Sequence, residues 1–160
     1  MSTEAKKVDV FFYGTFMNRD VLSDLGVMVD KILPAKIGGF ELSIRPRANL
    51  ARSDEASVYG GLTATTHSDL ERLYTSLRKS YGVNYLPEPV LAETLDGQLK
   101  PALCYIAPEM REAPASRELV EHLASCVRNL GLPEWYAQHV ESFAPKATDN
   151  EQIQRRRRVM

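Results

Sequence analysis

The chain has 160 residues, 44% apolar and 26% charged, and a formal net charge of −1. That length suits one domain with a hydrophobic core of its own, without disulfide staples. The near-neutral charge supplies no global field to select nucleic acid or an anionic membrane.

In chain order, Val8-Asp9-Val10-Phe11-Phe12-Tyr13 is a β-rich run that stops at Gly14. It predicts a buried first strand entering a tight loop over 14–18, with residues 1–7 as a flexible lead-in. A short helix follows over 19–25, ended by Gly26. Residues 27–44 are strand-like, interrupted by Pro34 and Gly38-Gly39. The polar stretch 45–56 (RPRANLARSDEA) predicts a loop. Residues 57–65 return to strand, where Gly60-Gly61 marks a bulge or a close backbone approach. Ser68-Asp69-Leu70-Glu71 has the form of a capping box and predicts a helix to about Lys79, with Leu70, Leu73, Tyr74 and Leu77 on one apolar face. Two strand-like runs, 85–94 and 99–107, flank an Asp96-Gly97 turn and predict a hairpin. Residues 116–130 predict a helix with Leu119, Val120, Leu123, Ala124, Val127 and Leu130 buried, stopped by Gly131. Pro133 opens a short helix to about Val140, and from Pro145 the chain turns polar and ends in a basic tail expected to be disordered. There is no internal repeat. Strands dominate early and helices are interspersed late, so the fold class is α+β.

Four segments then fall in a recognisable order. Val10-Phe11-Phe12-Tyr13-Gly14-Thr15-Phe16-Met17 is followed by Gly39-Phe40-Glu41-Leu42, by Val58-Tyr59-Gly60-Gly61-Leu62 with Asp69-Leu70 and Leu73, and by Gly131-Leu132-Pro133 with Tyr136. Over nearly all of residues 8–144 this resembles the γ-glutamylcyclotransferase-like (AIG2-like) family. The resemblance implies a mixed, barrel-like sheet flanked by helices, and a pocket beside the loop after the first strand. It also implies cleavage of a γ-glutamyl amide, in which the substrate's α-amine attacks the γ-carbonyl to release 5-oxoproline.

That chemistry needs a group to take the proton from the attacking amine and return it to the leaving amine, and a carboxylate touching both nitrogens does this. It also needs donors for the developing oxyanion, which backbone amides of a glycine loop supply. Tyr13, Gly14, Thr15, Phe16 and Met17 are therefore expected to cradle an oxyanion or a substrate carboxylate, with Tyr85 as a pocket wall. The sequence departs from the family at the proton shuttle. Counting forward from Leu73 puts that position at Leu77, and counting back from Tyr85 puts it at Arg78. Leucine exchanges no proton and arginine stays protonated. No acidic residue lies between Arg72 and Leu86. Glu71 and Glu88 are the substitutes to weigh, with Glu71 expected to serve its capping box and Glu88, between Pro87 and Pro89, to lie on a solvated edge strand. Arg78 facing the pocket would favour an anionic ligand, and Arg45, Arg47 and Arg52 are further candidate anion contacts.

The expected partner is a small γ-glutamyl or other carboxylate-bearing molecule, bound by a monomer or homodimer. The reading is of a pocket without the catalytic Glu; the alternative is an active cyclotransferase with a relocated carboxylate. No cofactor or metal is expected, because His67, His122 and His139 share no ligand spacing. His122 and Cys126, at i and i+4, are taken as a helix flank. Cys104 and Cys126 sit in no CxxC or CxH cluster, which predicts reduced thiols. The opening residues lack the apolar stretch of a secretory leader and no apolar run is long enough to span a bilayer, so the expected location is cytoplasmic. Arg155–Arg158 is expected to be a solvated tail.

Overall fold

The computed structural model describes residues 6–145, so most of the expected lead-in (1–7) and basic tail (145–160), including Arg155–Arg158, lies outside the described residues. The first strand, β1 (Lys7–Phe12), begins one residue earlier than the sequence suggests and buries Val10, Phe11 and Phe12. A single 3₁₀ turn (Thr15–Met17) and a one-and-a-half-turn helix, α1 (Arg19–Asp24), follow it. The Asn18 side chain caps α1 by accepting from the Asp20 N–H, and Gly26 ends it at φ 80°.

β2 (Leu33–Ile44) and β3 (Ala48–Thr66) form a long antiparallel hairpin. Here the sequence reading is corrected. The predicted loop over 45–56 shrinks to a tight turn at 45–47, because Ala48, Leu50 and Arg52 pair with Ile44, Leu42 and Phe40. Ala48 and Leu50 are buried opposite Ile44 and Leu42, and the half-buried Asn49 between them points to the other face of the strand. The irregular part is confined to residues 53–56, which bulge opposite Gly39, where the register shifts. Gly60 and Gly61 mark close approach: a Cβ on Gly60 would lie 2.2 Å from the Phe12 carbonyl oxygen, and one on Gly61 would lie 2.3 Å from Ile32 Cγ2.

α2 (His67–Tyr81) is two residues off at its start. Its N-cap is Thr66, whose hydroxyl accepts from the Asp69 N–H at 3.1 Å, while the Asp69 carboxylate accepts from the Thr65 hydroxyl at 3.2 Å. Ser68 and Glu71 are not the capping pair. Leu70 and Leu73 are fully buried and Tyr74 and Leu77 partly so, as the apolar spacing requires. The helix ends at Gly82, φ 68°.

β4 (Leu86–Thr94) and β5 (Leu99–Ile106) make the second hairpin around Asp96-Gly97, with Gly97 at φ 88°. α3 (Arg117–Asn129) is capped by Ser116, buries Val120, Leu123, Ala124, Cys126 and Val127, and yields at Gly131 to α4 (Glu134–Glu141). β4 meets β2 through Ala92, Glu93 and Thr94, and β5 meets β1 in parallel through Leu103 and Cys104. The strand order β1-β3-β2-β4-β5 thus closes on itself as a barrel, and α+β is the class. Both cysteines are free and buried. Among the described residues, no helix is long and apolar enough to cross a membrane.

Candidate functional site

The loop that leaves β1 opens into a cavity of about 40 Å³. Tyr13, Gly14, Thr15 and Phe16 form one side; Arg47 and Ala48 come from the β2–β3 turn; Tyr74 and Leu77 come from α2; Leu119 and Leu123 descend from α3. Gly14 is not left-handed, at φ −120°. Its lack of a side chain serves contact instead, since a Cβ there would meet Ala48 Cβ at 3.3 Å. The Met17 N–H is spent on the Gly14 carbonyl at 3.0 Å. The Met17 side chain is buried and lines a different surface cleft, with Asn18 and Cys126. Of the residues expected to form the cradle, Tyr13, Gly14, Thr15 and Phe16 line the cavity and Met17 does not.

Two tyrosines use their hydroxyls to fix the walls. Tyr13 donates to the Tyr105 carbonyl and Tyr85 to the Ala48 carbonyl, each at 2.6 Å. Asn49 pins the same rim, exchanging hydrogen bonds of 2.8 and 3.0 Å with the backbone of Ala107. Tyr74 lies flat on Tyr105, with centroids 3.9 Å apart and planes 11° from parallel, and touches Phe16 and Tyr85 edge-on or tilted. Arg47 lies over the Tyr81 ring, 3.9 Å from its centroid. This contact of cation and ring holds the guanidinium near the cavity.

The electrostatics are one-sided. Among the described residues that line the cavity, Arg47 is the only charged side chain and no carboxylate is present. Burial raises the phenols of Tyr13 and Tyr74 well above their ordinary value, with lesser contributions from neighbouring phenols and Cys104. Burial pushes Tyr85 up to about 12, partly opposed by Arg47. Tyr105 is raised too, by burial and then by Glu71. All four stay neutral near pH 7, so none is a base there.

Solved structures share this architecture. A γ-glutamyl cyclotransferase superposes with a TM-score of 0.76 at 18% identity, covering 90% of this chain and 92% of its own. An uncharacterised protein from Homo sapiens gives 0.75 at 17%, covering 91% and 96%. A glutathione-specific γ-glutamyl cyclotransferase from yeast gives 0.57 at 12%, covering 86% and 95%. The chain has the γ-glutamylcyclotransferase-like fold. A scan against family models gives no match, and no curated protein matches in sequence.

On the γ-glutamylcyclotransferase-like fold the two countings for the shuttle position separate. Leu77 lines the cavity and Arg78 does not. Arg78 lies in a shallower depression outside, with Glu71, His67 and Asn84. Tyr74, Tyr85 and Tyr105 line both spaces and so form the wall between them. Glu88 is on β4 opposite Cys104, half-buried and paired with Arg52, rather than solvated as the flanking prolines suggest. The Cys104 thiol beside it is pushed up to about 12, by burial first and the Glu88 charge second. Arg52 is thereby engaged away from the cavity, and Arg45 is exposed and does not line it. Of the three loop arginines, only Arg47 reaches the site. Sequence reasoning gave no site role to Tyr74, Tyr105, Leu119 and Leu123; all four lie on apolar stripes that look like ordinary core. His122 Nε2, half-buried, lies 3.6 Å from the buried Cys126 Sγ on α3. Among the described residues there is no cluster of three His, Cys, Asp or Glu side chains that could hold a metal.

Proposed function

We propose that this chain binds a small carboxylate-bearing molecule in the cavity beside Gly14 and does not carry out cyclotransfer through a pocket carboxylate. The observation that carries this reading is the charge of the lining: one guanidinium, Arg47, and no acid. Arginine recognises carboxylates through paired N–H donors. A lone positive charge opposes the ammonium of a free α-amino group and favours an anion.

The missing acid bears on the chemistry directly. A γ-amide cyclises when an ionisable oxygen relays a proton between two nitrogens. Of the two positions to which the resemblance leads, Leu77 lines the cavity and Arg78 lies outside it, and the surrounding phenols hold their protons near neutral pH. The relocated-base alternative is disfavoured by geometry. Glu88 is paired with Arg52, and Glu71 lies on the outer side of the tyrosine wall.

Titration with sodium acetate tests the binding reading. Wild-type protein binds acetate saturably, and Arg47→Ala weakens it about tenfold or more, the value of a hydrogen bond to a charged group. Arg47→Lys retains part of the affinity. Unchanged affinity in Arg47→Ala overturns the reading.

A further inference from the structure

We infer that the stacked Tyr74–Tyr105 pair sets the size of the ligand, so that the cavity takes a carboxylate no larger than about acetate and excludes a glutamyl-length chain. This rests on reading the cavity as a carboxylate site. Its volume is about 40 Å³. A usual small-molecule pocket holds roughly 300 Å³ or more. A one- or two-carbon anion matches the space, and a five-carbon acyl chain does not.

The missing room is on the other side of the wall. The outer depression holding Glu71, Arg78 and Asn84 has about 350 Å³ and shares Tyr74, Tyr85 and Tyr105 with the cavity. One of these three rings is anchored through its hydroxyl, and a second stands on a fixed strand backbone. Tyr85 is tied to the Ala48 carbonyl, and Tyr105 belongs to β5, its carbonyl held by Tyr13. Tyr74 is held by ring contacts to Phe16, Tyr85 and Tyr105. It is the side chain whose removal joins the two spaces while leaving the strands in place.

The test compares acetate with pentanoate, which carry the same single charge and differ by three methylenes. Each is titrated into ¹⁵N-labelled protein while the Gly14 and Thr15 amide signals are followed. With free space, pentanoate would bind more tightly than acetate by burying its extra methylenes. Size exclusion predicts the reverse: acetate saturates the loop signals in wild type and pentanoate binds about tenfold more weakly or worse. Tyr74→Ala then shifts the ratio of pentanoate to acetate affinity about tenfold toward pentanoate. Tyr74→Leu keeps an apolar filler in the core, and a smaller gain in the same direction is expected if the Ala variant does not fold. Pentanoate binding wild type as tightly as acetate overturns the size limit alone, as does a folded Tyr74 variant with no gain. Neither anion moving the loop signals in wild type overturns the carboxylate reading and this inference with it.

Discussion

Gly60 and Gly39 show how differently two glycines of the same hairpin are constrained. A Cβ at Gly60 would meet the Phe12 carbonyl oxygen at 2.2 Å, a backbone atom of the paired strand that cannot step aside. Gly39 sits at φ 86° with nothing within 4 Å of an added Cβ, so only the left-handed backbone is at stake. Urea unfolding should show Gly60→Ala destabilised by about 3 kcal/mol or more, as overpacking against rigid structure requires, and Gly39→Ala by about 1–2 kcal/mol. Equal losses would mean that β1 and β3 do not approach as closely as described. At this scale the sequence is partly legible. The Gly60-Gly61 pair announces a close approach, and the Tyr13-Gly14-Thr15 run announces a loop at the site. Which of Arg45, Arg47 and Arg52 reaches the cavity is not written locally. The turn geometry at 45–47 turns Arg47 onto Tyr81, and the pairing of β2 with β3 carries Arg52 to Glu88.

The start of α2 offers a direct contrast between two hydroxyls two residues apart. Thr66 accepts from the Asp69 N–H and satisfies one of the helix's orphan donors. Ser68 lies inside the first turn and is exposed. Thr66→Ala should cost about 1 kcal/mol and Ser68→Ala only a few tenths, measured by chemical denaturation of each variant; the opposite ranking would restore Ser68 and Glu71 as the cap. Both S/T-x-x-acid spacings are present in the sequence, and the choice between them depends on where β3 ends. β3 runs on to Thr66 because its last residues pair with Lys7 and Val8 of β1. The long polar arm of β3 was hidden for a related reason. Its buried residues, Ala48 and Leu50, are few, and its register comes from β2 rather than from its own pattern.

For the whole molecule, barrel closure is what builds the site. β1 and β5 meet in parallel, and Tyr13, just past β1, donates to the carbonyl of Tyr105, near the end of β5, in a buried hydrogen bond across 92 positions. α2 and α3 then cover the open side with Tyr74, Leu77, Leu119 and Leu123. The order of motifs carries the fold class and the general place of the pocket. The tyrosine wall comes from long-range contacts and has no local signature, since Tyr74 looks like one more apolar position on a helix. The proposed reading rests on that wall: no acid is found among the described residues lining the cavity inside it, and Glu71 lies in the depression on its outer side. The most direct measurement is release of 5-oxoproline when the purified protein is incubated with γ-glutamyl dipeptides near neutral pH. No release above a protein-free control is predicted for wild type, Glu71→Gln and Glu88→Gln alike; steady turnover in wild type that disappears in either variant would contradict the account.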